Sequence, residues 1–252
     1  MREEMKSLLD GKEQMLTQIA NVLGRQAHSQ FVPEPLPPFH WQVVQLDSGE
    51  LVRQLIDEVT KVGGHAVQLN SEIEVRAYVE SLLPADFDIP IALSDGEALS
   101  RLGIREWLET SGRRIVPVLK QFIAEELQPE ETAPLVERYK ALLMEASVGI
   151  TTADYGLADT GTLVIVSGTE QHRLMSLLPP VHICLLDSAR ILPSLTDLLA
   201  HLQDRFSEAE SAPKNMTCIT GPSRTADIEQ TITMGVHGPR SLHLILYDGK
   251  HD

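Results

Sequence analysis

DSGELVRQLIDEVTKVGGHAVQL, residues 47–69, and SEIEVRAYVESLLPADFDIPIAL, residues 71–93, decide the fold class. In the first, Asp47 and Glu50 stand at capping-box spacing. Leu51, Val52, Leu55, Ile56, Val59 and Val62 then recur on one helical face until Gly63-Gly64 stops the helix. HAVQL follows as a strand. The second stretch repeats the pattern: Ser71 and Glu74 cap, Val75, Val79, Leu82 and Leu83 line a face, Pro84 ends the helix, and IPIAL supplies the next strand. Strands of continuous apolar character alternating with helices imply a parallel sheet buried on both sides. The expected class is α/β, a doubly wound, mostly parallel sheet with helices on both faces.

Working outward, TGTLVIVS, VHICLLD, MTCITG and SLHLILYD read as further strands, with helices over Leu195 to Phe206 and Ala226 to Met234. The segment from Arg113 to Ala146 is less regular. Pro129-Glu130-Glu131 looks like a helix start, with carboxylates at the positive end of the dipole, and Leu135, Tyr139, Leu142 and Leu143 would face the core. SEAESAPK, residues 207–214, reads as an exposed loop. Before the α/β body, Met5, Leu8, Leu9, Leu16, Ile19 and Leu23 form one amphipathic helix ending near Gly24, and the prolines from Pro33 to Pro38 make an extended connector. The expected organisation is residues 1–38 as a helical appendage and 39–252 as the α/β domain. The helix either packs on its own domain or docks a partner.

Composition narrows the function. The 252 residues carry a formal charge of −15, with no basic run to displace counterions from phosphates, so nucleic-acid binding is not expected. No apolar stretch approaches the ~20 residues of a bilayer span, and the charged N-terminus lacks a secretory core. A cytoplasmic protein is expected. Of the two cysteines, Cys184 and Cys218, each sits in an apolar run and is expected to be buried. Two thiols do not supply the four usual for an iron-sulfur cluster, and the nine histidines show no zinc spacing, so no metal site is expected. Neither a GxGxxG fingerprint, a Walker loop nor a GxSxG elbow occurs.

Two polar, glycine-bearing segments lie at strand ends, where open α/β sheets place ligands. In residues 151–162, Asp159, Thr160, Gly161 and Thr162 combine a carboxylate, hydroxyls and a permissive backbone, suited either to a ligand or to a self-satisfied turn. In residues 221–229, Gly221, Ser223, Arg224 and Thr225 follow a strand and precede an expected helix, whose free amides would bind a small anion with Arg224 as a bidentate partner. Asp227 and Glu229 could instead simply complement the helix dipole. His237, between glycines, could exchange protons near neutral pH or be merely solvated.

TADYGLADTGTLVIVSG, HRLMSLLPPVHICLLDSARILPSL and ITGPSRTADIEQTITMGVHGPRSLHLILYD, in that order, resemble the LUD domain of the lactate utilization protein C family, in detail from Val148 onward. The resemblance implies a fold like that of ribose-5-phosphate isomerase and the CoA transferases, and a role in oxidising L-lactate to pyruvate with iron-sulfur partner proteins. On this reading the chain binds no cofactor itself and the clusters sit on the partners. It would contribute a substrate or anion pocket from Thr160, Gly161, Thr162, Gly221, Ser223, Arg224 and Thr225, with Asp159 or His237 handling a proton. The alternatives are a stand-alone enzyme acting on a phosphorylated or CoA-linked metabolite, and a non-catalytic assembly factor.

Overall fold

A computed structural model describes residues 17–18, 46–126, 132–167, 171–205, 215–226 and 232–249. Helix α1, Ser48–Lys61, starts as its sequence dictates: Glu50 N donates to Asp47 Oδ1 at 2.8 Å and Asp47 N to Glu50 Oε2 at 3.1 Å, a complete capping box. Gly63, at φ +86°, turns the chain into β1, His65–Gln68. The second box is only half formed. Ser71 Oγ accepts from Glu74 N at the start of α2, Glu72–Leu82, but the Glu74 carboxylate accepts from Asn70 N, one residue earlier than the motif requires.

The central sheet contains β1, β2 (Ile91–Leu93), β3 (Ile115–Val116), β4 (Val148–Thr152), β7 (Val181–Asp187) and β12 (Ser241–Tyr247), in the order β1-β12-β7-β4-β2-β3. All five pairings are parallel. One face, with Ile91, Leu93, Ile150, Ile183, Leu185 and Ile245, is covered by α2, α3 (Glu97–Arg101) and α4 (Ile104–Thr110) through Val75, Val79, Leu99, Ile104 and Leu108. At the β2–β3 side of the opposite face lie α5 (Leu119–Glu126), α6 (Thr132–Glu145) and α7 (Leu174–Leu177). There Leu135, Tyr139 and Leu143 are buried, as their spacing predicts.

The rest of that face holds α1 and a second sheet, ordered β8-β5-β6-β9, of Ile191–Leu192, Tyr155–Leu157, Thr162–Val166 and Met216–Ile219. TLVIV and MTCI are thus strands, as expected, but they belong to this mixed sheet rather than to the central one. Its inner side packs Leu163 and Ile165 with Val52, Leu55 and Val59 of α1 on Cys184, Leu186, Leu244 and Leu246. Its outer side is covered by Leu198 and Leu202 of α8, Leu195–Arg205. Leu55, fully buried between the two sheets, is a position where truncation to alanine costs about 2–5 kcal/mol.

Two expectations are corrected. Where the described residues meet the expected helix over Ala226–Met234, they form an antiparallel pair instead, β10 (Arg224–Ala226) and β11 (Ile232–Met234), in which Thr225 faces Thr233. The β-branched Thr225, Ile232 and Thr233 suit the pleated pair better than a helix. Cys218 is exposed, because it lies on the outward side of the edge strand β9, whereas Cys184 is buried in the middle of β7. The expected N-terminal helix, the Pro33–Pro38 connector, Pro129–Glu131 and the 207–214 loop lie outside the described residues. Among the described residues, no helix is long and apolar enough to cross a membrane.

Candidate functional site

The structure brings the two polar segments together. Gly161, at φ +66°, closes the β5–β6 hairpin so tightly on α1 that a Cβ there would lie 2.6 Å from Val59 N. From this tip a chain of hydroxyls runs outward: Thr160 Oγ1 donates to Asp159 Oδ1 at 3.2 Å, Thr160 and Thr162 are 2.8 Å apart, and Thr162 and Thr220 are 2.7 Å apart. Thr220 leads into Gly221, at φ +81°, which sits against Val62. Arg224 then donates to Val62 O at 2.5 Å, so its guanidinium caps the end of α1. Ser223 N donates to Pro239 O at 2.8 Å, and Gly238 lies against the Ser223 side chain, which places exposed His237 on the same loop cluster. With β10 in place of a helix start, free helical amides are not what lines this cluster; Thr225 is engaged in strand pairing.

At the opposite end of that hairpin lies a cleft of ≈ 410 Å³. It sits at the carboxyl ends of β2, β4, β7 and β12, the place where parallel α/β sheets hold ligands. Asp95, Gly96 and Arg101 enter it after β2, Thr152 and Asp154 after β4, Ser167 after β6, Asp187 and Arg190 from β7 and beyond, and Tyr247 from β12. Gly96 permits this convergence, since a Cβ there would meet Thr152 Oγ1 at 2.8 Å. Gln171 fixes the end of β4: its Oε1 accepts from Thr152 N and Oγ1, both at 3.0 Å, and its Nε2 donates to Thr152 O at 2.8 Å. Asp154 is held at the hairpin mouth, accepting from Val166 N at 2.7 Å.

Arg101 is tethered far more loosely. Its Nη2 lies 4.0 Å from Asp187 Oδ2 and 3.4 Å from Tyr247 Oη, both longer than an ordinary N–H···O bond, and its side chain is 38% exposed. The buried Asp187 carboxylate accepts from Ala189 N at 3.0 Å and Gly249 N at 3.4 Å. Burial pushes the Tyr247 phenol up, opposed by the long hydrogen bond from the neighbouring Arg101 guanidinium. The cleft therefore offers two guanidinium groups, Arg101 and Arg190, among the carboxylates of Asp95, Glu97, Asp154 and Asp187. A guanidinium in such a set can pair with a small carboxylate through directed hydrogen bonds, and a neighbouring carboxylate can accept a proton from a hydroxyl. Sequence reasoning missed Arg101, Gln171, Asp187, Arg190 and Tyr247. The available signal was positional: Asp187 ends VHICLLD and Asp95 follows IALS, just past buried strands.

A family model described as the LUD domain matches residues 52–247. The protein YkgG of Escherichia coli strain K12 is 28% identical over 244 residues, covering 95% of this chain and 100% of that protein. Lactate utilization protein C of Halalkalibacterium halodurans is 26% identical over 253 residues, covering 96% of this chain and 100% of that protein. Among solved structures, a DUF162 family protein from Deinococcus radiodurans shares the fold, with a TM-score of 0.54 at 20% identity, covering 81% of this chain and 99% of that one. Because the matched span runs from α1 through every described strand to the end of β12, the chain belongs to the LUD domain family.

Proposed function

We propose that this chain takes part in lactate utilization, as a component of a multi-protein system that oxidises L-lactate to pyruvate, and that its carboxyl-end cleft binds the acid. The observation that carries this reading is the end-to-end similarity to lactate utilization protein C, over 96% of this chain in one relative and 95% in another. The cleft adds chemical support. Arg101 or Arg190 would pair with the carboxylate of lactate, while Asp154, anchored by Val166 N, would accept the proton of the C2 hydroxyl.

Oxidation of lactate releases two protons and two electrons. The electrons need an acceptor, and iron-sulfur proteins are the proposed partners. Burial pushes the Cys184 thiol up to about 12, a poor redox or ligand group, and the chain's other cysteine, Cys218, stands in another sheet. The Asp159–Thr162 and Gly221–Thr225 cluster with His237 is the competing anion site; the bond from Arg224 to Val62 O favours a structural role there.

The test is complementation of a deletion strain, with calorimetry on the purified full chain. Arg101→Gln and Asp154→Asn should abolish growth on L-lactate while growth on pyruvate continues. Normal lactate growth with both variants, together with loss of growth for Arg224→Ala, would move the site to the other cluster.

A further inference from the structure

The 410 Å³ cleft does not end at Arg101 and Tyr247. The same two side chains line a second cleft of ≈ 340 Å³, whose apolar lining is Leu69, Val75 and Leu102 and whose polar lining is Asn70, Ser71, Glu72 and Asp248. Val75 and Leu102 are buried core residues, and Leu69 packs on the same cluster. The second cleft thus offers an apolar trough of three side chains within a polar margin, beside the more highly charged first cleft, with the Arg101 guanidinium shared between them.

The dimensions do not suit lactate alone. Clefts of roughly 300–1,000 Å³ commonly hold drug-sized ligands, whereas a three-carbon acid displaces only about 100 Å³, a few water volumes of ~30 Å³ each. A carboxylate paired with Arg101 has the polar cleft on one side, offering Asp154 to its hydroxyl, and the apolar trough on the other.

We infer that the site takes 2-hydroxy acids whose side chain is longer and more apolar than the methyl group of lactate, with the carboxylate on Arg101 and the side chain over Leu69, Val75 and Leu102. This rests on the reading of the cleft as a 2-hydroxy-acid site. Each buried methylene is worth about fourfold in affinity. A side chain three carbons longer therefore binds at least about tenfold more tightly even when only partly covered.

The experiment is calorimetric titration of the full-length chain with L-lactate, L-2-hydroxyisocaproate and L-3-phenyllactate. It is repeated on Asn70→Trp, which fills the trough from its exposed rim, and on Arg101→Gln. Asn70→Phe serves as a second filling variant should the tryptophan impair folding, which a thermal melt reports. The expected result is tighter binding of the two larger acids, a ratio of larger-acid to lactate affinity near one in the filled variant, and loss of all binding without Arg101. Larger acids that bind no better than lactate, or a ratio unmoved by both filling variants, would overturn the inference and leave the lactate reading standing. Larger acids that bind through Arg101 while lactate does not would uphold the inference and remove lactate as the substrate. No binding by any of the three would overturn both.

Discussion

The two ends of the β5–β6 hairpin are built on opposite principles. At its closed tip, Gly161 and Gly221 lie against α1, Arg224 caps that helix through Val62 O, and the hydroxyls of Thr160, Thr162 and Thr220 are linked in a chain. At its mouth, Asp154 and Ser167 border an open cleft, and Arg101 across from them is held at 4.0 and 3.4 Å. The tip is dense in glycine and small polar residues, which makes it conspicuous as sequence. The mouth is assembled from a few residues each from several separate segments. Motif density here marks where the backbone must approach closely, and a ligand cleft can form without it.

The largest effect of a single substitution expected from this contrast is at the tip. Gly161→Val adds a left-handed strain of about 1–2 kcal/mol and a collision with Val59 N worth about 1–3 more, so urea unfolding should show a loss of roughly 3 kcal/mol. A loss below about 1 kcal/mol would mean that the tip is not rigidly seated.

Acid should act next, on the amino halves of β7 and β12. Burial lowers His182 to about 3 and His243 to about 4 from the ordinary 6.5, the first further depressed by His243 and the second by His65. His182 Nε2 pairs with Thr151 Oγ1 at 2.8 Å, and its Nδ1 has no partner among the described residues, so the neutral form is the one the fold accommodates. The unfolded chain takes up these protons as pH falls below 6.5 while the folded chain does not. Stability is therefore full above that pH and declines toward pH 4, by up to about 1.4 kcal/mol per unit for each histidine. Urea midpoints between pH 7 and 4 check it; in His243→Gln the slope should flatten.

At the mouth the order of effects reverses. Arg101→Gln should weaken L-lactate at least about tenfold, roughly 1.4 kcal/mol, while leaving the urea midpoint almost unmoved, because its folded-state contacts are long and partly exposed. The smallest effect is expected for Arg224→Ala: about 1 kcal/mol of stability from the lost bond to Val62 O, with lactate affinity intact. Loss of affinity without loss of stability would invert the roles assigned to the two ends.

Local patterns made much of the fold legible. Asp47 and Glu50, the 3.6-residue apolar stripes, and the unbroken apolar runs around Ile183 and Ile245 act within their own segments and lead to the observed helices and parallel strands. Failures occurred where pairing between segments, rather than the pattern within one, decides the outcome. ADIEQTITM has helical spacing, yet Arg224 pairs across to Met234 and the β-branched residues settle into strands. Cys218 lies in an apolar run, but nothing fixed in advance that β9 would be an edge. The cleft was legible least of all. Arg101 lies on a short helix and meets Asp187 and Tyr247 only through the sheet order.

Gly149 ties the two ends of β4 together. A side chain there would drive into Met175 O, so α7 rests directly on the strand, and the residues just before α7 deliver Gln171 to Thr152 three positions further along. The strand is thus gripped twice, about 10 Å apart, by one continuous segment. Any bulk at 149 would lift α7 like a lever and withdraw Gln171 from the rim of the cleft. A variant of this protein tuned to a different acid can exchange side chains around the cleft one by one, but the bare backbone at 149, which does not line that cleft, has to stay.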